Sequence, residues 1–438
     1  MSDLAKAKLW IALFVLVILA PVLALFWGPH PEGREFWREL SAAFGFAGLA
    51  LIGIQFIPTA RLPFLAQLFP MDTLYAFHHK ISIAGFTLAL AHPLLLFAGN
   101  PYTLRLLNLA TAPWRARAAV IAVILFILII ITSVWRKDLR IRYENWRAVH
   151  DLFSIAAAGL VLYHMFMVNH YMAHPFQRVY WSTSAVVWAL AVIYIRVVRP
   201  IQLLQRPYRV VSVQAERGEA WTLSLEPDGH PGCHFMAGQF AWLVARTSPF
   251  SFRDNPFSFS SSAENKNRIE FTIKELGDFT ATVKELQAGE RVYVDGCYGT
   301  FDIDQHDAPG YVMIAGGIGS VPILSILRTM RDRKDNRPVI FFYGNPDWEQ
   351  VTFRKDLDSL TSQMDLKVVH VLEQPPDNWR GETGFITAEI LDKHLGVDRA
   401  NWHYFICGPI PMISAVEKAL LQLDIPLVKI HTENYEMA

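Results

Sequence analysis

The chain has 438 residues, enough for two or three domains, and its 40 basic residues are balanced by 40 acidic ones. Zero net charge gives no reason to expect a nucleic-acid partner. The three cysteines, Cys233, Cys297 and Cys407, are spaced too widely for a disulfide framework or a cysteine metal motif, and their place in the second half suits a reducing cytoplasm.

The two halves differ in kind. Up to about residue 200 the sequence runs in long apolar stretches, and beyond that it alternates as an ordinary soluble protein does. Six membrane spans are expected: Leu9–Trp27, Leu40–Ile57, Thr73–Phe97, Ala116–Trp135, Val149–Val168 and Val179–Val198. The first follows Lys6 and Lys8 as a signal peptide would, but it is longer than an h-region and has no small-x-small cleavage site, so it reads as an anchor. Arg136, Lys137, Arg140, Arg142 and Arg147 lie between spans four and five, and Arg196, Arg199 and Arg206 follow span six. With six spans these charges share one side with Lys6 and Lys8. The positive-inside rule makes that side the cytoplasm, with the soluble half inside a multi-pass cell (inner) membrane protein. Arg105, Arg115 and Arg117 run against this pattern in the loop between spans three and four.

Spans three and five carry the chemistry. His78 and His92 are 14 residues apart, and so are His150 and His164. On an α-helix 14 residues return to nearly the same face after a rise of about 21 Å. Two parallel helices so marked offer two histidine pairs at two depths, His78 with His150 and His92 with His164. A bis-histidine haem takes one axial imidazole from each side, so these four are candidate metal ligands for two b-type haems. His79 is turned off the shared face and is expected to flank the site. Arg147 and Lys80 are placed either to neutralise haem propionates or to anchor the interface. His170 and His174, four apart beyond span five, read as a solvated loop or a metal-binding pair.

In the second half Tyr208–Gln214, Trp221–Leu225, Ala237–Leu243 and Ile269–Thr280 read as short strands and turns, which suggests a small antiparallel barrel. Gly277–Thr280 leads into a helix start of the kind that binds a diphosphate. From Tyr311 the pattern becomes alternating strand and helix. Tyr311–Ala315 runs into Gly316-Gly317-Ile318-Gly319-Ser320-Val321-Pro322, a glycine-rich turn that lets backbone approach a pyrophosphate. Val339–Tyr343, Leu366–Val371 and His403–Cys407 complete an open parallel sheet, the last leading into Gly408-Pro409.

Taken together, these motifs resemble a known family over nearly the whole chain. The soluble half looks like ferredoxin–NADP reductases, and the chain as a whole resembles the NADPH oxidase and ferric reductase group of prokaryotic type. The resemblance implies a six-helix haem-binding membrane bundle over residues 1–203. It implies an FAD-binding β-barrel over 204–306 and an NAD(P)H-binding α/β domain over 307–438. Asn255-Pro256-Phe257-Ser258 would hold FAD, with Phe257 stacked on the isoalloxazine and Ser258 near its N5. Ile273, Lys274, Gly277 and Thr280 would bind the rest of the flavin nucleotide. Gly316, Gly317 and Gly319 would take the phosphates of NADH or NADPH, and Cys407, Gly408 and Pro409 would sit by the nicotinamide. Tyr435 would cover the flavin until the nicotinamide displaces it. Phe257, Ser258, Cys407 and Tyr435 are therefore the expected catalytic residues. Asn255 stands where relatives carry histidine or arginine, and Tyr435 is followed by three further residues. Asp347 favours NADH by repulsion whereas Arg354 favours NADPH, and the sequence leaves that choice open. The implied activity carries electrons from cytoplasmic NAD(P)H through FAD and two haems to an external acceptor. Oxygen is the first candidate, and a ferric chelate or a periplasmic protein is the alternative. Lipid is the one obligatory surround, and a protein partner is not required.

Overall fold

The computed structural model describes residues 3–24, 34–66 and 68–434. The chain divides into two compact units, one of residues 1–69 and 73–200, the other of 70–72 and 201–438.

The first unit is helical: α1 (Asp3–Leu23), α2 (Phe36–Ile54), the short α3 (Pro63–Ala66), α4 (Met71–Gly99), α5 (Trp114–Val134), α6 (Tyr143–Val168) and α7 (Pro175–Ile193). A wider π turn over Tyr194–Val198 leads into α8 (Arg199–Leu204). Among the described residues, five stretches are long and apolar enough to cross a membrane: 36–60, 71–99, 114–134, 143–168 and 175–204. Six were expected. The apolar part of α1, Lys8–Leu23, is shorter than the other five, and the expected end of span one at Trp27 lies outside the described residues.

Apolar faces alone do not specify how such helices pair, because lipid is as apolar as the helices. Aromatic packing and buried hydrogen bonds supply the register. Trp181 on α7 is fully buried, stacks on Phe46 of α2 at 5.8 Å and meets Trp188 edge-on. Its indole N–H donates to Gln177 Oε1 at 3.1 Å, and Gln177 Nε2 donates to the Pro21 carbonyl of α1 at 2.7 Å. The buried amide is thus satisfied at both ends, as a polar group in such a setting must be. Asp151 within α6 is ion-paired with Arg196. The arginines that oppose the charge pattern have structural work. Arg117 donates to the carbonyls of Ala112 and Ala110, and Arg105 lies 3.7 Å over the Tyr102 ring.

The second unit holds two sheets. Strands β1 (Tyr208–Glu216), β2 (Ala220–Pro227), β3 (Phe240–Ala245), β4 (Asn255–Ser258), β5 (Ile269–Lys274) and β6 (Arg291–Tyr298) pair antiparallel in the order β4-β3-β6-β1-β2-β5. A bridge between Phe259 and Phe271 joins the two ends and closes the barrel around Leu223, Leu225, Phe259, Phe271 and Ile273. The five-residue α9 (Asp278–Thr282) follows β5. Cys233 and Cys297, which sequence spacing left unrelated, meet here. A hydrogen bond from Cys297 draws the Cys233 thiol down to about 7.

The rest is a parallel sheet with helices on both faces. It comprises β7 (Tyr311–Gly316), α10 (Ser320–Arg333), β8 (Val339–Asn345), α11 (Arg354–Thr361), β9 (Leu366–Leu372), β10 (Glu382–Thr383), α12 (Ala388–His394), β11 (His403–Gly408), α13 (Ile410–Gln422) and β12 (Ile430–Asn434). The strand order is β10-β9-β8-β7-β11-β12. The chain winds outward from β7 through β8, β9 and β10, then returns to lay β11 on the other flank of β7. Arg328 of α10 fastens sheet to barrel through the Ser260 carbonyl and Glu270, and Ser325 donates to the Ser261 carbonyl at 2.7 Å.

Candidate functional site

The helical unit brings the four intramembrane histidines into two pairs. His78 of α4 faces His150 of α6 with ring centres 6.2 Å apart, and His92 faces His164 at 6.5 Å. A metal held in line between two imidazoles, about 2.0 Å from each nitrogen and with each ring centre about 1.1 Å further back, puts the centres roughly 6.2 Å apart. Both pairs fit that spacing. His79 is exposed and stands outside the pair.

The two tiers are not equivalent. At the His92 end both rings are oriented from behind. His92 Nδ1 lies 2.8 Å from the Ser41 carbonyl, and Ser41 Oγ donates to the His92 carbonyl at 2.7 Å. His164 Nδ1 lies 2.8 Å from the Arg115 carbonyl. A carbonyl accepts only, so each Nδ1 carries the proton and each Nε2 keeps its lone pair, the form a metal ligand needs. Gly45, one turn from Ser41 on α2, packs on the His92 ring, where an added Cβ would lie 3.1 Å from Nδ1. At the other end the rings are held less firmly. His150 Nδ1 has Ser133 Oγ at 3.5 Å, and His78 Nδ1 is buried with no partner. One turn beyond His92, a cavity of about 240 Å³ is lined by residues that include Arg34, Glu35, Trp37, Arg38, Leu96 and Asn100. Ser41, Gly45 and the Arg115 carbonyl were missed from the sequence. No local pattern sets Ser41 and Gly45 apart from the other small residues of their helix, Ala42, Ala43, Ala47 and Gly48 among them.

In the barrel, Asn255-Pro256-Phe257-Ser258 forms the strand β4. Phe257 is half-buried and stacks against Phe279 at 5.8 Å. Ser258 Oγ is buried and has no hydrogen-bond partner, an orphan that a bound polar group would satisfy. Ile273 is buried in the barrel core, which leaves only its backbone to meet a ligand. Lys274 reaches Gln350 Oε1 at 3.3 Å. Gly277 is open to space on the side a Cβ would occupy. The Thr280 hydroxyl accepts from the Leu276 and Gly277 amides at 2.8 Å and donates to the Gly277 carbonyl, so it closes the turn and does not point outward.

In the parallel sheet, Gly316–Gly319 follows β7 and Cys407-Gly408-Pro409 ends β11. These neighbouring strands flank the point where the chain reverses its winding. Open α/β sheets bind ligands there, beyond the carboxyl ends of the strands. Gly319 seats the turn against β11, since a Cβ on it would lie 2.1 Å from the Cys407 carbonyl oxygen. Gly317 has φ +52° and open space beside it, a conformation and clearance that suit glycine. The Cys407 side chain is fully buried in the core under the sheet. Glu433 of β12, in register with Cys407, was not singled out from the sequence. It is buried with one carboxylate oxygen unpartnered, and burial holds its carboxyl well above the ordinary range. Tyr435 lies outside the described residues.

Residues 44–161 match the ferric reductase like transmembrane component family, and residues 313–418 match the oxidoreductase NAD-binding domain. The chain belongs with fusions of these two parts. The first unit carries the transmembrane component, with apolar helices as in a multi-pass membrane protein, and the second unit carries the NAD-binding domain. The fusion is 32% identical over 174 residues to NADH-cytochrome b5 reductase 1 of Lodderomyces elongisporus, a match covering 39% of this chain and 58% of that protein. It is 34% identical over 152 residues to the protein of that name from Debaryomyces hansenii, covering 34% and 54%. The chain thus spans little more than half the length of these relatives. A flavohemoglobin from Malassezia yamatoensis shares the fold, with a TM-score of 0.51, 17% identity, and coverage of 92% of this chain and 99% of that one.

Proposed function

We propose that this protein carries electrons across a membrane, from NADH or NADPH on the cytoplasmic side, by way of FAD and two b-type haems, to an acceptor on the far side. The observation that carries the proposal is the pair of histidine tiers, each spaced for one metal and joined along the same two helices. His78 and His150 would hold the inner haem, His92 and His164 the outer one. When bound, the flavin accepts a hydride and releases its electrons singly, and haem carries one electron at a time.

The chain's own residues set the conditions. Ser41 and the Arg115 carbonyl fix the tautomer of the outer ligands. The turn at Gly316–Gly319 offers backbone to a dinucleotide diphosphate, and β4 offers the Phe257 ring and the free Ser258 hydroxyl to a flavin. The basic clusters after α5 and α7 support an orientation with the reductase module in the cytoplasm.

Oxygen is the first acceptor we propose. A ferric chelate is the second reading, favoured by the cavity beyond His92, where Arg34 and Arg38 outnumber the one acidic lining residue, Glu35, and suit an anionic ligand. Anaerobic reduction with NADH tests the proposal. His92→Ala is expected to lose one haem and keep flavin reduction, and retention of both haems would overturn the pairing. Superoxide formation in air selects oxygen as acceptor, and anaerobic reduction of ferric citrate selects the chelate.

A further inference from the structure

At the opposite end of the parallel sheet from the nucleotide turn, three histidines from three segments converge. His403 opens β11, His431 lies in β12, and His306 comes from the connection between β6 and β7. The ring of His431 stacks on His306 at 3.8 Å and lies coplanar with His403 at 5.0 Å. One ligating nitrogen from each falls within 4.8 Å of the other two. His403 and Cys407 are four residues apart on one strand, about 13 Å, so this cluster is separate from the nucleotide turn.

Hydrogen bonding shows that the cluster already presents a lone pair to a cation. Lys429 Nζ lies 3.0 Å from His403 Nε2. An ammonium only donates, so that nitrogen accepts, the proton of His403 sits on Nδ1, and Nδ1 donates to His431 Nε2 at 2.7 Å. His403 and His431 each accept a hydrogen bond at Nε2, so both rings are neutral, the state that binds metals. The nearby carboxylates Asp304 and Asp307 are taken up by Arg333 and Arg337.

We propose that His306, His403 and His431 form a three-imidazole site for a divalent transition-metal cation, with Lys429 as the group that holds the His403 Nε2 lone pair in the metal-free state. Three neutral imidazoles with a fourth position open suit Zn²⁺, and also Cu²⁺ or Ni²⁺, better than Mg²⁺ or Ca²⁺. Metal entry takes one nitrogen of His403, either Nε2 in place of Lys429 or Nδ1 with its proton moved to Nε2, and in both cases displaces Lys429 while pinning β12 to β11 and to the β6–β7 connection. Lys429 thus opposes binding, and its removal strengthens it.

The test is zinc binding to the full-length detergent-solubilised protein after chelator treatment, read by equilibrium dialysis and metal analysis. His306→Asn and His431→Asn are each expected to bind one zinc fewer than the wild type. His234→Asn, at an exposed position in the connection between β2 and β3, is expected to bind as many as the wild type. Lys429→Met is expected to bind as many, with Kd lowered about tenfold. Equal zinc content in the wild type and His431→Asn would overturn the site. If the histidine variants lose their flavin, the Lys429→Met titration decides, and an unchanged Kd overturns the proposal.

Discussion

Gly45→Val is expected to empty the outer haem position without touching a ligand. Gly45 packs on the imidazole of His92, and a Cβ there would already lie 3.1 Å from Nδ1 and 3.2 Å from Cγ. Those contacts are tighter than most real ones, and the two further methyl groups of valine reach into the ring itself. The helix is not weakened, because valine has better helix propensity than glycine. The ring must therefore turn or retreat, breaking the Nδ1 contact to the Ser41 carbonyl that fixes its tautomer. Loss of such an outer-sphere contact costs about 10–100-fold in affinity, roughly 1.4–2.7 kcal/mol. Haem-to-flavin ratio measured by visible absorbance is expected to fall from two toward one. Gly159→Val is the control, since Gly159 in α6 has nothing within 4 Å of its Cβ position. A Gly45→Val protein that retains two haems, or a Gly159→Val protein that loses one, would refute the reasoning.

Three other outcomes are expected. Ser258→Ala removes a buried hydroxyl that has no partner, so the flavin-free protein gains stability by about 1 kcal/mol in urea unfolding while FAD affinity falls. Gly319→Ala places a methyl 2.1 Å from the Cys407 carbonyl, which forces β7 and β11 apart at the turn; a loss of roughly 1–3 kcal/mol and a raised KM for NADH are expected, with oxidised-flavin absorbance unchanged. Glu433 has a folded-state pKa raised by burial, so its contribution to stability is full below the ordinary glutamate value and is lost as pH rises through the folded value. Glu433→Gln is accordingly expected to melt higher than the wild type at pH 8, with the gap closing toward pH 4.5, and a gap independent of pH would contradict this account.

Much of the site could be read from the sequence because it rests on periodicity. The 14-residue histidine spacing, repeated on two helices, already demanded that the four rings share a face, and the rings do meet in pairs. The glycine turn after Tyr311–Ala315 likewise carried its own signal, since strand, turn and helix are consecutive. What the sequence hid was what comes from elsewhere in the chain. Ser41 and Gly45 act on a histidine some fifty residues away, and no local pattern marks a serine whose carbonyl orients it. Thr280 was expected to serve a ligand, but its hydroxyl is committed to closing its own turn, a competition that only side-chain geometry reveals. Cys407 had the right neighbours in sequence, yet the strand's alternation turns its side chain into the core. The cluster of His306, His403 and His431 spans 126 positions and is assembled by parallel pairing of β11 with β12, which no spacing rule anticipates.

Haem content of the purified wild-type protein tests the central claim most directly. Pyridine haemochrome analysis beside flavin release is expected to give two b-type haems for each FAD, both reduced by NADH in the absence of air. A preparation that is yellow with flavin and has no haem absorbance would contradict the account, whatever its reductase activity.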